Sequence, residues 1–269
     1  MALDGRARSA EALNAFFHEA LALVEPQTFA EIGAFEADAS RRVKAAHPSC
    51  RVIAFEASPQ VHAFHSSRTD YAAEGVDYRN QAVAGHNGTV ELHVGDAAVA
   101  GNAASLLNRI DTSDDSTVAV PSVTLDTALG DTPGRTVLWV DVEGAVGDVL
   151  ASGGEALPHV DLAKIEVEDG EHWAGQHLAV DVIESLLDVD LYPVLRDVEY
   201  AGQYNIVFAS DRLLRDLAFT KALESALHAQ AVRQEPGPLR THDGLRRVAR
   251  PVRRAARRLI DRSSQQRQP

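Results

Sequence analysis

Five strand-length apolar runs alternate with helix-length amphipathic stretches between Gln27 and Val189, and few architectures accommodate that rhythm. "QTFAEIGAF" reads as a strand ending at Gly33, "RVIAFEA" as the second, a segment around "VDYRNQAVA" as the third, "TVLWVDV" as the fourth and "LAKIEVE" as the fifth. "ASRRVKAAH", "SPQVHAFHSSR", roughly "GDVLASGGEAL", and a span from about Gln176 to Val189 carry the intervening helical patterns. Strands that alternate with helices pair in parallel and are covered on both faces. "YPVLRDVEY" and "YNIVFAS", separated by the turn "AGQ", add two neighbours of opposite direction. The expected fold is therefore α/β: a doubly wound, mostly parallel seven-stranded sheet with helices on both faces and an antiparallel closing strand. Ligands of such sheets bind beyond the carboxyl ends of the strands, where the strand order reverses.

The flanks divide the chain further. Ala10, Leu13, Phe16, Phe17, Ala20, Leu21 and Val24 recur at helical spacing before Pro26, which predicts an amphipathic N-terminal helix within residues 1–27. Residues 28–210 form the α/β domain, 211–235 a C-terminal helix and 236–269 a basic, Arg-rich tail. After the turn "HNG" and a strand "TVELHVG", the stretch from Asp96 to Pro133 is rich in Ala, Asn, Ser, Thr and Asp. It reads as an insertion of loops, short strand pieces and one short helix.

Charge is distributed unevenly. The net charge is −13, yet Arg240 to Pro269 contains ten arginines against Asp243 and Asp261, which leaves −21 on the other 239 residues. A body so acidic repels nucleic acid, and the tail has no aromatic residues for base stacking. The tail's expected roles are docking on the acidic body or attachment to an anionic membrane surface. No apolar run approaches the length of a membrane span, and the N-terminus lacks the pattern of a secretory signal. A cytoplasmic protein is expected, peripheral at the membrane if the tail binds lipid, and homo-oligomerisation is open. Cys50 is the single cysteine, so no internal disulfide forms.

The strand ends carry the candidate chemistry. Glu31 closes the first strand, and Gly33 with Ala34 lets the backbone turn closely past a ligand. A dinucleotide fingerprint would need two more glycines; Phe35, Glu36 and Ala37 stand there instead, a set better suited to a cofactor with a positive centre. Glu56, with Ala57 after it, is placed to accept both hydroxyls of a ribose, and Asn80 and Gln81 to meet an adenine edge. Asp141 and Glu143 end the fourth strand; Glu166, Glu168 and Asp169 end the fifth. Such oxygens suit a hard cation such as Mg, so Asp141, Glu166 and Glu168 are the metal candidates. Glu143 is expected to hold the turn. His172 is the best-placed general base, with Trp173 beside it as a flat surface for a sugar ring.

"VTLDTAL", "VLWVDVEGAVGDVL" and "AKIEVE", following "EIGAFEAD" and "VIAFEASP" at these separations, resemble the FkbM-type family of S-adenosylmethionine-dependent methyltransferases over about Thr28 to Ser210. The D-x-E-G element is its most specific part. The resemblance implies a class I methyltransferase fold, S-adenosylmethionine as cofactor, and O-methylation of a hydroxyl, often on a sugar, glycolipid or natural product. With the readings of the strand ends above, the expected cofactor contacts are Glu31, Gly33, Ala34, Phe35, Glu56, Ala57, Asn80, Gln81 and Asp141, and the catalytic candidates are Asp141, Glu166 and His172. Phe35 replaces the family's usual Asn and Ala37 its last loop Gly; its Ser-Ser-Leu element is present as "AASLL", with Ser105 as the second serine. A contrasting expectation is a non-catalytic, cofactor-binding or assembly subunit, with Phe35 and Ala37 marking a degraded site.

Overall fold

The structure, a computed structural model, describes residues 4–94, 104–110, 116–130, 134–198 and 200–232. The Arg-rich tail and parts of the expected insertion lie outside the described residues. Ten strands are described: β1 (Thr28–Ile32), β2 (Arg51–Glu56), β3 (Val76–Asn80), β4 (Ala82–Val83), β5 (Gly88–His93), β6 (Thr117–Val123), β7 (Thr136–Val140), β8 (Val160–Glu168), β9 (Leu191–Arg196) and β10 (Gln203–Ser210). Seven of them form one sheet in the order β3-β2-β1-β7-β8-β10-β9. All its pairs are parallel except those of β10, which runs antiparallel to both β8 and β9. The doubly wound fold is thus present, and the expected hairpin closes the sheet by inserting its second strand between its first and β8.

Alternating side chains sort onto two covered faces. Ile32, Phe55, Leu138, Val140 and Ile165 face one buried cluster, which α4 (Leu125–Leu129), α5 (Val146–Ala151) and α6 (Ala179–Leu187) complete. Phe29, Val52, Val137, Leu162 and Val207 face the other, beneath α1 (Asp4–Val24), α2 (Asp38–Ala46) and α8 (Leu217–Val232). The helical stripe of α1 is buried as its spacing requires, and Phe16 meets Phe219 of α8 with ring centroids 5.7 Å apart. Each such fully buried aromatic contributes about 2–3 kcal/mol of transfer free energy. Cys50, buried at the start of β2, has its thiol pushed up to about 11 by burial.

Three local readings change. The third apolar run breaks at Gln81: its N–H still bonds the Glu56 carbonyl at 3.1 Å, but Ala82 and Val83 beyond it pair with β6. Beyond the break, β4 leaves the main sheet for a second, three-stranded one ordered β4-β6-β5. The insertion therefore contains a seven-residue strand, β6, whose pattern Pro121 obscured. The helix expected over "GDVLASGGEAL" stops at Ala151, before Gly153 and Gly154.

The sheet order reverses between β1 and β7: the chain winds outward through β2 and β3, then returns to the other side of β1. Gly33, just past β1, has φ 81°, and a Cβ there would lie 1.7 Å from the Asp141 carbonyl oxygen. The demand for glycine is thus set by the neighbouring strand end itself. Gly33→Ala should destabilise the fold by more than about 2 kcal/mol, from a left-handed backbone combined with a backbone clash. Urea unfolding of the ligand-free protein checks this, and a loss under about 0.5 kcal/mol would contradict it.

Candidate active site

At this reversal a cavity of about 280 Å³ opens beyond the ends of β1, β2 and β7, lined by Gly33, Phe35, Glu56, Ala57, Gln81, Ser105, Asp141 and Glu143 among others. Glu56 is buried in its wall and held by two backbone donors: Phe35 N–H to Oε2 at 2.9 Å and Ser58 N–H to Oε1 at 2.7 Å. Burial pushes this carboxyl above the usual range, against the pull of those two bonds. Each oxygen keeps lone-pair capacity for a diol. Asn80 does not line the cavity; its amide donates to the Glu56 and Ala57 carbonyls at 2.9 and 3.1 Å and clamps the ends of β2 and β3. Gln81 and Ala57 do line it.

The loop after β1 is arranged differently from the sequence expectation. The Gly33 and Ala34 N–H groups both donate to the Phe55 carbonyl, at 3.0 and 2.9 Å, so neither points at a ligand. Glu31 lies off the cavity; its carboxylate accepts the Ser40 N–H at 2.8 Å and so caps α2, which has no side-chain cap of its own at Ala37. Phe35 and Ala37 have φ 48° and 52°. They hold the left-handed backbone of a glycine-type loop, each at a cost of roughly 1 kcal/mol. The Tyr78 hydroxyl donates to the Phe35 carbonyl, and the Phe35 ring, at the cavity wall, meets His65 edge-on at 4.7 Å.

The acid cluster sits where β7 and β8 end. Asp141, Glu143 and Glu166 each offer a carboxylate oxygen within 4.8 Å of the others. Glu143 joins because its φ of 45° folds the turn back over Asp141, while its own carbonyl accepts the Ser105 hydroxyl at 2.6 Å. Burial, then the neighbouring Asp141, raises Glu143 to about 7; burial, Asp141 and Glu143 raise Glu166 to about 9. The metal candidate Glu168 is not in this set. It is 1% exposed and accepts the Gln176 side-chain amide at 2.6 Å. Glu143 takes the place that sequence reading assigned to Glu168.

Gln176 went unnoticed in the sequence, having no pattern to mark it. Its carbonyl oxygen accepts the His172 and Trp173 N–H groups at 2.8 and 3.2 Å, which straps the loop after β8 to Glu168. The loop in turn pairs with residues 108–110 through Ala174 N–H to Asn108 O and Ile110 N–H to His172 O. Trp173 is 4% exposed, packed on Gly144, where a Cβ would stand 2.7 Å from its ring. It is a strut of the wall and offers no open face for a sugar. His172 is exposed and does not line the cavity. One missed residue left a trace: Lys164 is the lone cation within the otherwise apolar start of "LAKIEVE".

The strand order, the buried acid at the end of β2 and the cavity at the reversal define a Rossmann-like class I methyltransferase domain. A family model described as the methyltransferase FkbM domain matches residues 27–192, and the chain belongs to that family of S-adenosylmethionine-dependent methyltransferases. Among solved structures, methyltransferase FkbM from Methylobacillus flagellatus KT is 12% identical with a TM-score of 0.42, covering 68% of this chain and 44% of that one. Magnesium protoporphyrin IX methyltransferase from Synechocystis PCC 6803, solved with bound SAM, is 8% identical with a TM-score of 0.43, covering 76% and 80%. No curated protein sequence matches the chain.

Stability should report the buried carboxyls. Burial raises Glu31 to about 7, as it does Glu143, and Glu166 stands at about 9. Groups raised above their unfolded value near 4.3 contribute stability that is complete below that pH and is lost as pH rises through the folded value. Lys164, lowered to about 8 chiefly by burial, acts in the opposite direction only above about pH 8. The melting temperature of the ligand-free protein should therefore fall between about pH 5 and about pH 8, and Glu166→Gln should flatten the fall. Calorimetry across that window checks it; a rising melting temperature would contradict it.

Proposed function

We propose that the chain is an O-methyltransferase acting on a hydroxyl of a sugar, glycan, glycolipid or natural product. The observation that carries this is the carboxylate cluster of Asp141, Glu143 and Glu166 beside the Glu56-walled cavity. The residues fit an adenosyl cofactor with a positive centre: a buried, oriented carboxylate for a diol, the Gln81 amide for a base edge, and acids at the other strand end. S-adenosylmethionine, when bound, supplies an electrophilic methyl group on a sulfonium. Glu56 and Gln81 would hold and orient its adenosyl part.

A sugar hydroxyl is a weak nucleophile at neutral pH, so the residues near the acceptor must take up its proton as the C–O bond forms. Asp141 lines the cavity, and Glu166 offers a carboxylate oxygen within 4.8 Å of one of its own. Asp141 is then the acceptor of the hydroxyl proton, while Glu166 steadies its oxygen. In-line displacement asks for little more than alignment, proton removal and exclusion of water. The strap formed by residues 172–174 and 108–110, with Ser105 and Glu143, would shape the acceptor side. His172 stands on that strap as a second candidate base.

The spacing of the three carboxylates also suits a metal-assisted variant: Asp141, Glu143 and Glu166 would hold Mg or another divalent cation, which would supply acidification of the hydroxyl. Chelation separates the two: a base mechanism keeps its rate in excess EDTA, and a metal mechanism loses it until Mg²⁺ is restored.

Titration calorimetry with S-adenosylmethionine should show binding, weakened at least about tenfold in Glu56→Gln, where one charged acceptor is lost. Asp141→Asn should retain binding of the neutral product S-adenosylhomocysteine and lower its yield from a panel of glycosides and polyketide alcohols by about a hundredfold or more. Binding without any turnover on such a panel would favour a non-catalytic subunit. The left-handed Phe35 and Ala37 favour the enzyme, since the loop keeps its shape without its glycines.

A further inference from the structure

Lys164 lies in the interior of the domain, only 4% exposed, at a strand position whose neighbours are Ala163 and Ile165. Its ammonium stands 3.5 Å over the Trp139 ring, and Trp139 is its register partner across β7 and β8. Phe17 of α1 meets that indole edge-on, with ring centroids 5.6 Å apart. Because strand side chains alternate, Asp141 and Glu166, two residues further along, project on the same face. The backbone position of Lys164 is therefore two residues, roughly 7 Å, behind that of Glu166 on the same strand. Charged groups that act on Lys164 come from several elements: Asp141 after β7, Asp197 after β9, Glu166 on β8 and Glu31 on β1, with His18 on α1 facing its charge.

A buried lysine is costly unless its charge is used. Stability alone would be served as well by an apolar side chain over Trp139, with fewer carboxylates around it. The position has a consequence for methyl transfer. A wall of carboxylates beside a sulfonium would bind the cationic donor more tightly than the transition state, in which that charge is disappearing, and such ground-state stabilisation slows the chemical step. A fixed cation behind the acid pair offsets it.

We propose that Lys164 is a charge-balancing positioning residue that limits how strongly the acid pair grips the cationic cofactor and so levels its affinity against the neutral product. This rests on the S-adenosylmethionine reading given above. It assigns Lys164 no contact with the ligand; it acts through Asp141 and Glu166.

The test compares binding of S-adenosylmethionine and S-adenosylhomocysteine by calorimetry, with no turnover needed. Wild type should bind the thioether at least as tightly as the sulfonium. Lys164→Met, which keeps an unbranched stem over Trp139, should shift the affinity ratio about tenfold toward the sulfonium, and Lys164→Arg should leave it near wild type. A purely structural lysine predicts equal weakening of both ligands in Lys164→Met, and an unchanged ratio overturns the proposal. Should Lys164→Met not fold, the wild-type ratio decides: a sulfonium preference above about tenfold overturns it. If neither ligand binds wild type, the cofactor reading has failed, an outcome distinct from an unchanged ratio and one that overturns the proposal with it.

Discussion

The contact on which the site depends is between two backbones. Where β1 ends, Gly33 lies so close to the Asp141 carbonyl that no side chain fits between them. Asp141 N–H, in turn, donates to the Ile32 carbonyl at 2.9 Å, continuing the β1–β7 ladder one residue past the strand. This crossing brings the end of β7 alongside the loop after β1, and the cavity with its acids exists because the two ends cannot spread apart. The loop residues are then fixed from outside: Glu56 holds the Phe35 N–H, Tyr78 the Phe35 carbonyl, and Glu31 the start of α2.

Around that crossing the chain concentrates negative charge in a place where water is scarce. Glu31, Glu56, Glu143, Glu166 and Glu168 are all raised first by burial, and all but Glu56 are raised by Asp141 as well. Three are committed to amide donors: Glu31 to Ser40, Glu56 to Phe35 and Ser58, Glu168 to Gln176. Asp141, Glu143 and Glu166 remain together with Lys164 behind the last of them. Glu31 and Glu168 are spent on the scaffold and Glu56 is oriented for a diol, whereas a group of acids facing each other is a store of unfavourable energy that a ligand can relieve.

Much of the fold was legible because apolar runs of strand length have only one use when helices alternate with them. The roles of the strand-end acids were less so. Glu56 can be recognised from its place after an apolar strand, but whether Glu143 or Glu168 joins Asp141 depends on one left-handed turn and one glutamine eight residues past Glu168. Neither has a periodicity. Trp173 reads as an exposed platform until residues 108–110, more than sixty positions earlier, pair with its loop. Glu31 and the Gly33–Ala34 amides read as ligand contacts because the residue types are right; the structure uses them for α2 and for the Phe55 carbonyl. The break at Gln81 and the strand through Pro121 escaped for a related reason, since pairing partners outside the main sheet determine both.

The antiparallel strand has a consequence for the order of events on the ribosome. Among the described strands β9 is hydrogen-bonded only to β10, and β10 is the last of them to be made. Until Gln203 to Ser210 has emerged, β9 has no ladder to join and β8 offers an open edge, although the ligand-facing half of the sheet is already complete. Vectorial synthesis would thus produce a nascent intermediate with its pocket side assembled and its far side unpaired, a state in which a stall or truncation leaves two unpaired strand edges available to neighbouring chains.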